Sequence, residues 1–237
     1  MRQYFVQEIL AEGDEYAFDR EISHHLSRVL RMKENTEIRI IDGSYAAFSA
    51  SVFYRDGRTY ALIGPREEKG AEEREITCLA ALIMKDKWEL IIQKACELGV
   101  TRIVPLITER TVIRLEKGES EKKVARWNKI AREACQQSNR SRIVEVTEPV
   151  KLKDIEKYKS DINLVAYENE EKVSLVEKLH EGSISFVVGP EGGISESEID
   201  YLTSAGFERV SLGRNILRAE TAVMYVLSVI DAFGGGK

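Results

Sequence analysis

Short runs of alternating apolar and polar residues occupy the first 70 positions of the chain. An apolar residue at every second position is typical of a strand with one buried face, and the pairs Asp42-Gly43 and Asp56-Gly57 are typical of hairpin turns. An intervening segment, Glu21–Arg31, has its apolar residues at helical spacing instead. We therefore expect a small β-rich domain of barrel type, with one helix and with strands at Tyr4–Ile9, Glu37–Ile41, Phe48–Tyr54 and Thr59–Ile63.

A charged stretch at residues 65–75 separates this part from the rest of the chain. It contains Pro65 and Gly70 and has no apolar periodicity, and both residue types interrupt regular structure. We expect the domain boundary here, with one domain at residues 1–70 and a second at residues 71–237.

Apolar runs and amphipathic segments alternate through the second domain. Short runs bounded by turn residues predict buried strands, and apolar residues at i, i+3, i+4 and i+7 predict helices. Alternating strands and helices are typical of an α/β fold with a mainly parallel sheet. The predicted strands are Ile76–Met84, Arg102–Ile107, Ile162–Tyr167 and 184–188, and the predicted helices are Lys85–Leu98, Ser120–Gln137, a segment around Lys172–His180, and Ala219–Phe233.

The last predicted helix, Ala219–Phe233, is apolar on nearly every side. A helix without a polar face is expected to be buried all round. As the final element of a modest domain it predicts a subunit interface as well as a core, and a homodimer is the symmetric default.

Two glycine-bearing loops that follow predicted strands are the candidate site. The stretch Phe186–Gly193 ends in Gly-Pro-Glu-Gly-Gly, and Ser211–Ala222 places Gly213 after a second strand end. Glycine lets a ligand approach the backbone closely, so the two loops predict one shared pocket. Ser195 and Glu198 have the spacing of a capping box, which starts a helix after the first loop. A plain turn is the alternative, and neither stretch matches a phosphate-binding motif.

Composition narrows the class of protein without identifying a ligand. Of the 237 residues, 43% are hydrophobic and 32% are charged, as expected for a globular protein with a sizeable core. No apolar run reaches the roughly 18 residues of a membrane span, and the N-terminus lacks the apolar stretch of a signal peptide. The three cysteines are scattered and form no CxxC pair, so we expect buried thiols in a reducing cytoplasm, and no metal site.

Charge is distributed unevenly along the chain. The net charge is −5, yet residues 85–142 carry 14 basic and 8 acidic side chains. Such segregation can form a phosphate-facing patch on an acidic protein. A set of solvated helix faces explains the same counts, and charge alone leaves both explanations open.

The glycine loops also carry a family resemblance. GPEGG together with the pattern LGxxILRxETA at residues 212–222 resembles the signature of the RsmE family, which belongs to the SPOUT superfamily of RNA methyltransferases. Three further segments are similar to patterns of that family: HLSRVLR at 25–31, QKACELGV at 93–100 and EACQQSNR at 133–140. Cys96 and Gln136 stand where the family more often has Thr and Glu.

This resemblance implies a fold and an activity. The fold would be a PUA-like β-barrel, which is an RNA-binding module, followed by an α/β SPOUT methyltransferase domain with a trefoil knot in its C-terminal region. The activity would be S-adenosylmethionine-dependent methylation of N3 of one uridine, uracil 1498, in the 16S ribosomal RNA of the small subunit. The enzyme would be a cytoplasmic homodimer whose partner is 16S ribosomal RNA or the small ribosomal subunit, with no metal and no membrane contact.

The resemblance also implies roles for single residues. Arg218 would orient the uracil or stabilise charge on it, and Glu191 or Glu220 would accept the N3 proton. Glu220 is equally suited to cap the last helix, where an acid near the N-terminus is favourable. S-adenosylmethionine would be held by Ala166, Tyr167, Gly189, Pro190, Glu191, Gly193, Leu212, Gly213, Ile216, Leu217 and Arg218. RNA would contact His25, Arg28, Arg31, Arg110, Gln137, Ser138 and Arg140, with Arg28 and Arg31 three positions apart on one helix face.

Two other classes of protein stay open at this point. One is a SPOUT enzyme that acts on transfer RNA, at a ribose 2′-hydroxyl or at guanine N1; the β-rich first domain and the HLSRVLR segment argue against it. The other is an RNA-binding protein without catalysis, and the two intact glycine loops argue against that. Binding of S-adenosylmethionine separates an enzyme from an inert binder, and the position of the modified atom separates the enzymes.

Overall fold

The chain folds into two compact units. The computed structural model describes residues 1–68, 73–113 and 118–234. The first unit comprises Met1–Glu72 together with Cys135–Arg142, and the second comprises Glu73–Ala134 together with Ile143–Lys237. The expected boundary between residues 70 and 71 lies outside the described residues. A short segment from the middle of the chain belongs to the first unit.

Five strands form the sheet of the first unit. They are β1 (Arg2–Phe5), β2 (Glu15–Ala17), β3 (Glu37–Ile41), β4 (Ala47–Arg55) and β5 (Arg58–Arg66), in the order β1-β3-β4-β5-β2. β1 pairs with β3 in parallel, and the other neighbours are antiparallel. Phe48, Ala50 and Val52 of β4 point into one core, because successive side chains of a strand face opposite sides. The alternating pattern predicted β3, β4 and β5 correctly, whereas the first strand ends at Phe5 rather than Ile9.

One carboxylate organises the turn after β3. Asp42 is 2% exposed. Its side chain accepts hydrogen bonds from the N–H groups of Leu10 at 3.1 Å, Ser44 at 2.8 Å and Ala46 at 2.9 Å, and from the Ser44 hydroxyl at 2.7 Å. Burial raises the pKa of Asp42, but these hydrogen bonds outweigh burial and hold the pKa below its ordinary value. The predicted Asp42-Gly43 turn is therefore built around an ionised aspartate.

A helix that changes type lies between β2 and β3. α1 (Arg20–His24) continues as a π-helix over His25–Val29. The Leu30 N–H donates to the His25 carbonyl at 2.9 Å, which is the i→i+5 bond of that wider helix, and Arg31 has a φ of 48°. The expectation that Arg28 and Arg31 share a helix face was wrong, because the helix ends before Arg31 and the backbone there is left-handed.

A parallel sheet of seven strands organises the second unit. Its strands are β6 (Ile76–Ala81), β7 (Arg102–Ile107), β8 (Glu145–Val146), β9 (Val150–Lys151), β10 (Ile162–Ala166), β11 (Ile184–Val188) and β12 (Glu208–Val210), in the order β12-β10-β11-β6-β7-β8 with β9 also paired to β7. All the pairings are parallel. β6 and β11 are buried along their whole length, as expected for strands covered on both faces. The predicted α/β fold with a parallel sheet is confirmed. The trefoil knot stays a prediction, because strand order alone does not define how a chain is threaded.

The described ranges contain four longer α-helices, α2 (Lys85–Glu97), α3 (Glu119–Gln137), α4 (Glu196–Ser204) and α5 (Ala219–Phe233). α5 spans the predicted residues and buries Val223, Val226, Leu227 and Ile230. It is not buried all round in the single chain, however, since Tyr225 is 41% exposed. The apolar pattern therefore predicted the helix correctly but overestimated its burial within one subunit.

The segment around Lys172–His180 is not the helix that its pattern predicted. The Glu170 carboxylate accepts the N–H groups of Lys172 at 2.9 Å and Val173 at 3.2 Å, and Ser174 forms a β-bridge with Ser211. A single 3₁₀ turn follows at Val176–Lys178. The backbone groups that a helix would pair internally are thus bonded to a side chain and to a neighbouring segment.

Two global properties follow from the described part of the chain. It contains no helix long and apolar enough to cross a membrane. It also contains no group of three or more His, Cys, Asp or Glu side chains arranged to hold a metal ion. Cys78, Cys96 and Cys135 are buried, and burial raises the pKa of the Cys78 thiol.

Candidate active site

Three strand ends meet at one edge of the parallel sheet. β10 lies between β11 and β12, with Ala166 opposite Val210. The N–H of Tyr167 donates to the carbonyl of Val210 at 3.1 Å, which ties two of the ends together. Because parallel neighbours end at the same edge, Gly189 after β11 and Leu212 after β12 also lie there.

The Gly-Pro-Glu-Gly-Gly loop folds tightly at this edge. The Gly193 N–H donates to the Pro190 carbonyl at 2.9 Å, and Gly193 has a φ of +73°, a conformation that favours glycine. A β-carbon on Gly193 would lie 2.3 Å from Oε1 of Glu168, and one on Gly189 would lie 2.7 Å from Cγ1 of Ile194. The left-handed φ of Gly193 and the contact of Gly189 with the buried Ile194 therefore favour glycine at both positions.

A second loop, after β7, is bonded to the glycine loop. The Arg110 guanidinium donates to the Gly192 carbonyl at 2.7 Å. The N–H of Glu109 donates to Oε1 of Glu198 at 2.8 Å, and the N–H of Ser195 donates to Oε2 of the same carboxylate at 3.2 Å. The predicted capping box of Ser195 and Glu198 is present at the start of α4. Arg110, predicted as an RNA contact, thus also holds the glycine loop in place.

The loop at residues 211–218 is more open. Ser211 is fixed by its N–H, which donates to the Val173 carbonyl at 2.8 Å. Gly213 has a φ of +116°, and no atom of the described residues lies within 4 Å of the position of its β-carbon. Ile216 is 88% exposed. Arg218 is exposed at the N-cap of α5. This loop can therefore offer backbone groups, an apolar side chain and a cation to a ligand at the same edge.

The predicted cofactor residues differ in their exposure. Glu191, Gly213, Ile216 and Arg218 are exposed, Pro190 is buried, and Ala166, Tyr167, Gly189, Gly193, Leu212 and Leu217 are half-buried. The strand register brings Ala166, Gly189 and Leu212 to one edge, as the sequence predicted.

A lysine that the sequence did not point to lies between two of the predicted carboxylates. Nζ of Lys87, on the first turn of α2, is 3.4 Å from Oε1 of Glu191 and 3.9 Å from Oε1 of Glu220. Oε2 of Glu220 is buried and has no hydrogen-bond partner among the described residues. A cation in the first turn of a helix opposes the helix dipole, but Lys85 lies in the same turn, so no signal in the sequence singled out Lys87.

The predicted RNA-contacting residues of the first unit lie in two segments. His25, Arg28 and Arg31 are all exposed. Gln137 is exposed and Ser138 is half-buried. These five side chains remain predicted RNA contacts.

Arg140 is placed differently, since it is 8% exposed. The Gln3 side-chain amide donates to the Arg140 carbonyl at 2.6 Å, and Arg39 donates to the Gln3 side-chain oxygen at 2.7 Å and to the Asn139 carbonyl at 3.3 Å. These bonds join the segment to β1 and β3. The burial of Arg140 favours a role in holding the segment over direct contact with a phosphate.

Several basic side chains of residues 85–142 are paired with carboxylates. Arg126 forms two hydrogen bonds to Glu89, at 2.9 and 3.0 Å, and these bonds lower the pKa of that carboxyl. Lys94 pairs with Glu97 and Lys123 with Glu119 along their own helices. These three carboxylates lie within residues 85–142 and are already counted among its acidic side chains, so the pairs leave the basic excess of the segment unchanged.

A cleft of about 730 Å³ lies at the opposite, amino edge of the sheet. Its lining includes Arg74, Asp161 and Phe233. The predicted cofactor residues lie instead at the carboxyl edge, where ligands bind in open α/β sheets.

Both parts of the chain match family models of RNA methyltransferases. A model described as an RNA methyltransferase domain matches residues 71–231, and a model described as an RNA methyltransferase PUA domain matches residues 18–53. The fold, the glycine loops and these matches define the chain as a member of the RNA methyltransferase class that carries a PUA module.

Relatives narrow the class to one family. The chain is 32% identical to the ribosomal RNA small subunit methyltransferase E of Bacillus subtilis, over 98% of this chain and 96% of the relative. It is 30% identical to the protein of the same name from Rickettsia conorii, over 97% of this chain and 95% of the relative. The chain belongs to the ribosomal RNA small subunit methyltransferase E family, and the RsmE resemblance of its glycine loops is confirmed.

A solved structure agrees with this assignment. The crystal structure of a ribosomal RNA small subunit methyltransferase E from Neisseria gonorrhoeae, bound to S-adenosylmethionine, superposes with a TM-score of 0.88 at 30% identity. The match covers 98% of this chain and 97% of that one.

Proposed function

We propose that this chain transfers the methyl group of S-adenosylmethionine to N3 of one uridine, uracil 1498, in the 16S ribosomal RNA of the small subunit. The observation that carries the proposal is the pair of glycine loops at the carboxyl edge of the sheet, in a chain that belongs to the RsmE family. The Bacillus and Rickettsia relatives are named for methylation of small-subunit ribosomal RNA, and the Neisseria structure contains S-adenosylmethionine. Together these facts support the donor, the substrate and the place of the site.

The residues at this edge suit S-adenosylmethionine. Its sulfonium and amino groups are cationic, and carboxylates such as Glu168 and Glu191 beside the loop favour a cation. Gly213 leaves the backbone open to close approach, since no described atom lies within 4 Å of the position of its β-carbon. We propose that the donor is held, mainly through backbone groups, by Ala166, Tyr167, Gly189, Pro190, Glu191, Gly193, Leu212, Gly213, Ile216, Leu217 and Arg218.

When bound, S-adenosylmethionine supplies an electrophilic methyl group. The chain's own residues must align the uracil with it and remove the proton from N3. Arg218, at the N-cap of α5, would orient the uracil and stabilise negative charge that develops on its oxygens. Glu191 or Glu220 would accept the proton, since both are carboxylates at this edge, 3.4 and 3.9 Å from Nζ of Lys87.

The RNA must present an accessible N3. That atom lies on the pairing edge of uracil, so the nucleotide has to be unpaired or flipped out of its stack. The exposed His25, Arg28 and Arg31, with Gln137 and Ser138, would hold the surrounding phosphates and fix the site of modification.

A homodimer is part of the proposal. Tyr225 and Phe233 of α5 are 41% and 45% exposed, and aromatic side chains are enriched in the cores of interfaces. Ribosomal RNA as the substrate would place the dimer in the cytoplasm. Sedimentation equilibrium tests the assembly, and a monomer at micromolar concentration would contradict it.

Transfer of labelled methyl groups to undermethylated small ribosomal subunits tests the activity. We expect label in 16S ribosomal RNA and 3-methyluridine after digestion to nucleosides. Label in transfer RNA, or in another atom of the nucleoside, would overturn the proposed substrate. Absence of both transfer and donor binding would overturn the proposed site.

A further inference from the structure

A tyrosine in the turn after β3 has no part in the function proposed so far. We infer that Tyr45, together with Arg142, forms a stacking platform for an unpaired base of the substrate RNA. This inference rests on the proposed function and deepens it by adding a binding site in the first unit that the family resemblance did not assign.

Tyr45 holds a backbone conformation that its own side chain disfavours. Its φ is 62°, in the left-handed region, where a bulky residue is a genuine outlier and glycine fits without strain. The turn maintains this conformation: the Tyr45 N–H donates to the Asp42 carbonyl at 2.9 Å, and the Asp42 carboxylate accepts the N–H groups of Ser44 and Ala46. Backbone strain of this kind is concentrated at functional sites.

The strained backbone presents an aromatic ring to solvent. Tyr45 is 48% exposed, so full burial of the ring does not offset the strain. The guanidinium carbon of Arg142 lies over the ring, 5.9 Å from its centroid, and Arg142 is itself exposed. An aromatic ring offers a stacking surface to any base, and an arginine beside it offers hydrogen-bond donors to a phosphate. The pair therefore suits a nucleotide of single-stranded RNA.

The cation of this pair lies on a segment that already carries predicted RNA contacts. Cys135–Arg142 contains Gln137 and Ser138 and belongs to the same compact unit as Tyr45. The Arg39 guanidinium donates to a carbonyl of this segment at 3.3 Å. Arg39 lies on β3, the strand that leads directly into the turn of Tyr45. The platform therefore extends the RNA-contacting surface that the sequence predicted.

A second tyrosine–arginine pair in the same unit provides a contrast. The guanidinium carbon of Arg55 lies 5.0 Å from the ring centroid of Tyr60, and the Tyr60 ring stacks on Phe53 with centroids 5.2 Å apart. Arg55 also forms an ion pair with Glu15. Tyr60 is half-buried and lies on the regular strand β5, so packing within the unit accounts for it. Tyr45 instead combines exposure with backbone strain.

Two substitutions of Tyr45 in the full-length protein separate the ring from the backbone. Tyr45→Ala and Tyr45→Gly both remove the ring, but only glycine relieves the left-handed strain. We expect both to raise the KM for undermethylated small ribosomal subunits about 5- to 100-fold, the range of one stacked base, with kcat and the KM for S-adenosylmethionine changed less than about twofold. Tyr45→Gly should nevertheless melt about 2–4 °C above Tyr45→Ala. Tyr45→Phe should match the wild type.

Tyr60→Ala is the matched control, and it should leave the KM for small subunits unchanged. Arg142→Ala should raise that KM and reduce the slope of log affinity against log salt concentration by about one. Tyr45→Ala should leave the slope as it is, because stacking displaces no counterion. Ultraviolet cross-linking to small subunits then identifies the molecule attached to the peptide that contains Tyr45, and we expect 16S ribosomal RNA.

Several results would overturn the inference. They are a Tyr45→Ala or Tyr45→Gly protein with the wild-type KM for small subunits, an equal rise in KM for Tyr60→Ala, and a cross-link from the Tyr45 peptide to a ribosomal protein. An Arg142→Ala protein with unchanged KM would remove Arg142 from the platform. Each of these results leaves the proposed function standing while the wild type is active, whereas a wild-type protein that transfers no methyl group to small subunits overturns both.

Discussion

Replacing Gly193 by alanine is expected to destabilise the protein and to weaken donor binding. A non-glycine residue at the φ of +73° found here loses about 1–2 kcal/mol. The new β-carbon would also lie 2.3 Å from Oε1 of Glu168. Since that atom ends a flexible and exposed side chain, it can move aside at little further cost. We therefore expect the free energy of unfolding to fall by about 1–2 kcal/mol, which lowers Tm by about 2–8 °C for a chain of this size.

The neighbouring glycine is a matched control. A β-carbon on Gly192 would lie 3.5 Å from Cβ of Arg110, an ordinary contact, and its φ is outside the left-handed region. Gly192→Ala should therefore change the free energy of unfolding by less than about 0.5 kcal/mol.

Urea unfolding and calorimetric titration with S-adenosylmethionine compare the two variants with the wild type. We expect a lower unfolding free energy and a weaker Kd for Gly193→Ala alone. Equal unfolding free energies for the two variants would refute the strain argument. A destabilised Gly193→Ala protein with an unchanged Kd would place the donor away from this loop.

Three further outcomes are expected. Asp42→Asn should lower the free energy of unfolding by about 2–3 kcal/mol at neutral pH. Because the folded pKa of Asp42 is depressed, its stabilisation is complete above the unfolded pKa of about 3.9 and is lost as pH falls through the folded pKa. Urea unfolding should therefore show the difference in unfolding free energy between variant and wild type closing in acid, and a constant difference would contradict this account. Arg110→Ala removes the hydrogen bond to the Gly192 carbonyl and should raise the KM for S-adenosylmethionine about tenfold, the value of one charge-assisted hydrogen bond. Weaker RNA binding with an unchanged KM would instead favour a contact between Arg110 and a phosphate. Cys78, Cys96 and Cys135 should resist a thiol reagent in the native protein and react after denaturation, because all three are buried; rapid labelling of the native protein would disprove that burial.

Elements whose signal is local were predictable from the sequence. The alternation in Glu37–Ile41 and the apolar run in Arg102–Ile107 gave the strands β3 and β7 with their observed ends, because burial on one or both faces dictates these patterns. The glycine loops were predictable for the same reason, since each follows a buried strand. The meeting of the loops at one edge followed from parallel pairing.

Features that depend on distant residues were not predictable. Lys87 and Glu191 are 104 positions apart, and no local pattern indicates that they form an ion pair. Arg140 has the character of a surface residue, yet its carbonyl is bonded to Gln3 and the residue is buried. The switch to a π-helix at His25 likewise leaves no mark on apolar spacing, so the relation of Arg28 to Arg31 was misjudged.

The segment Cys135–Arg142 makes the smaller unit discontinuous in the chain. A gene fragment that ends near residue 70 would encode β1 and β3 but not the Asn139 and Arg140 carbonyls, which accept hydrogen bonds from Arg39 and Gln3. The PUA module therefore cannot be exchanged between proteins as one uninterrupted cassette. Any recombination or graft that keeps these bonds must carry two separate stretches of sequence, and during synthesis the module is complete only after residue 142 has left the ribosome.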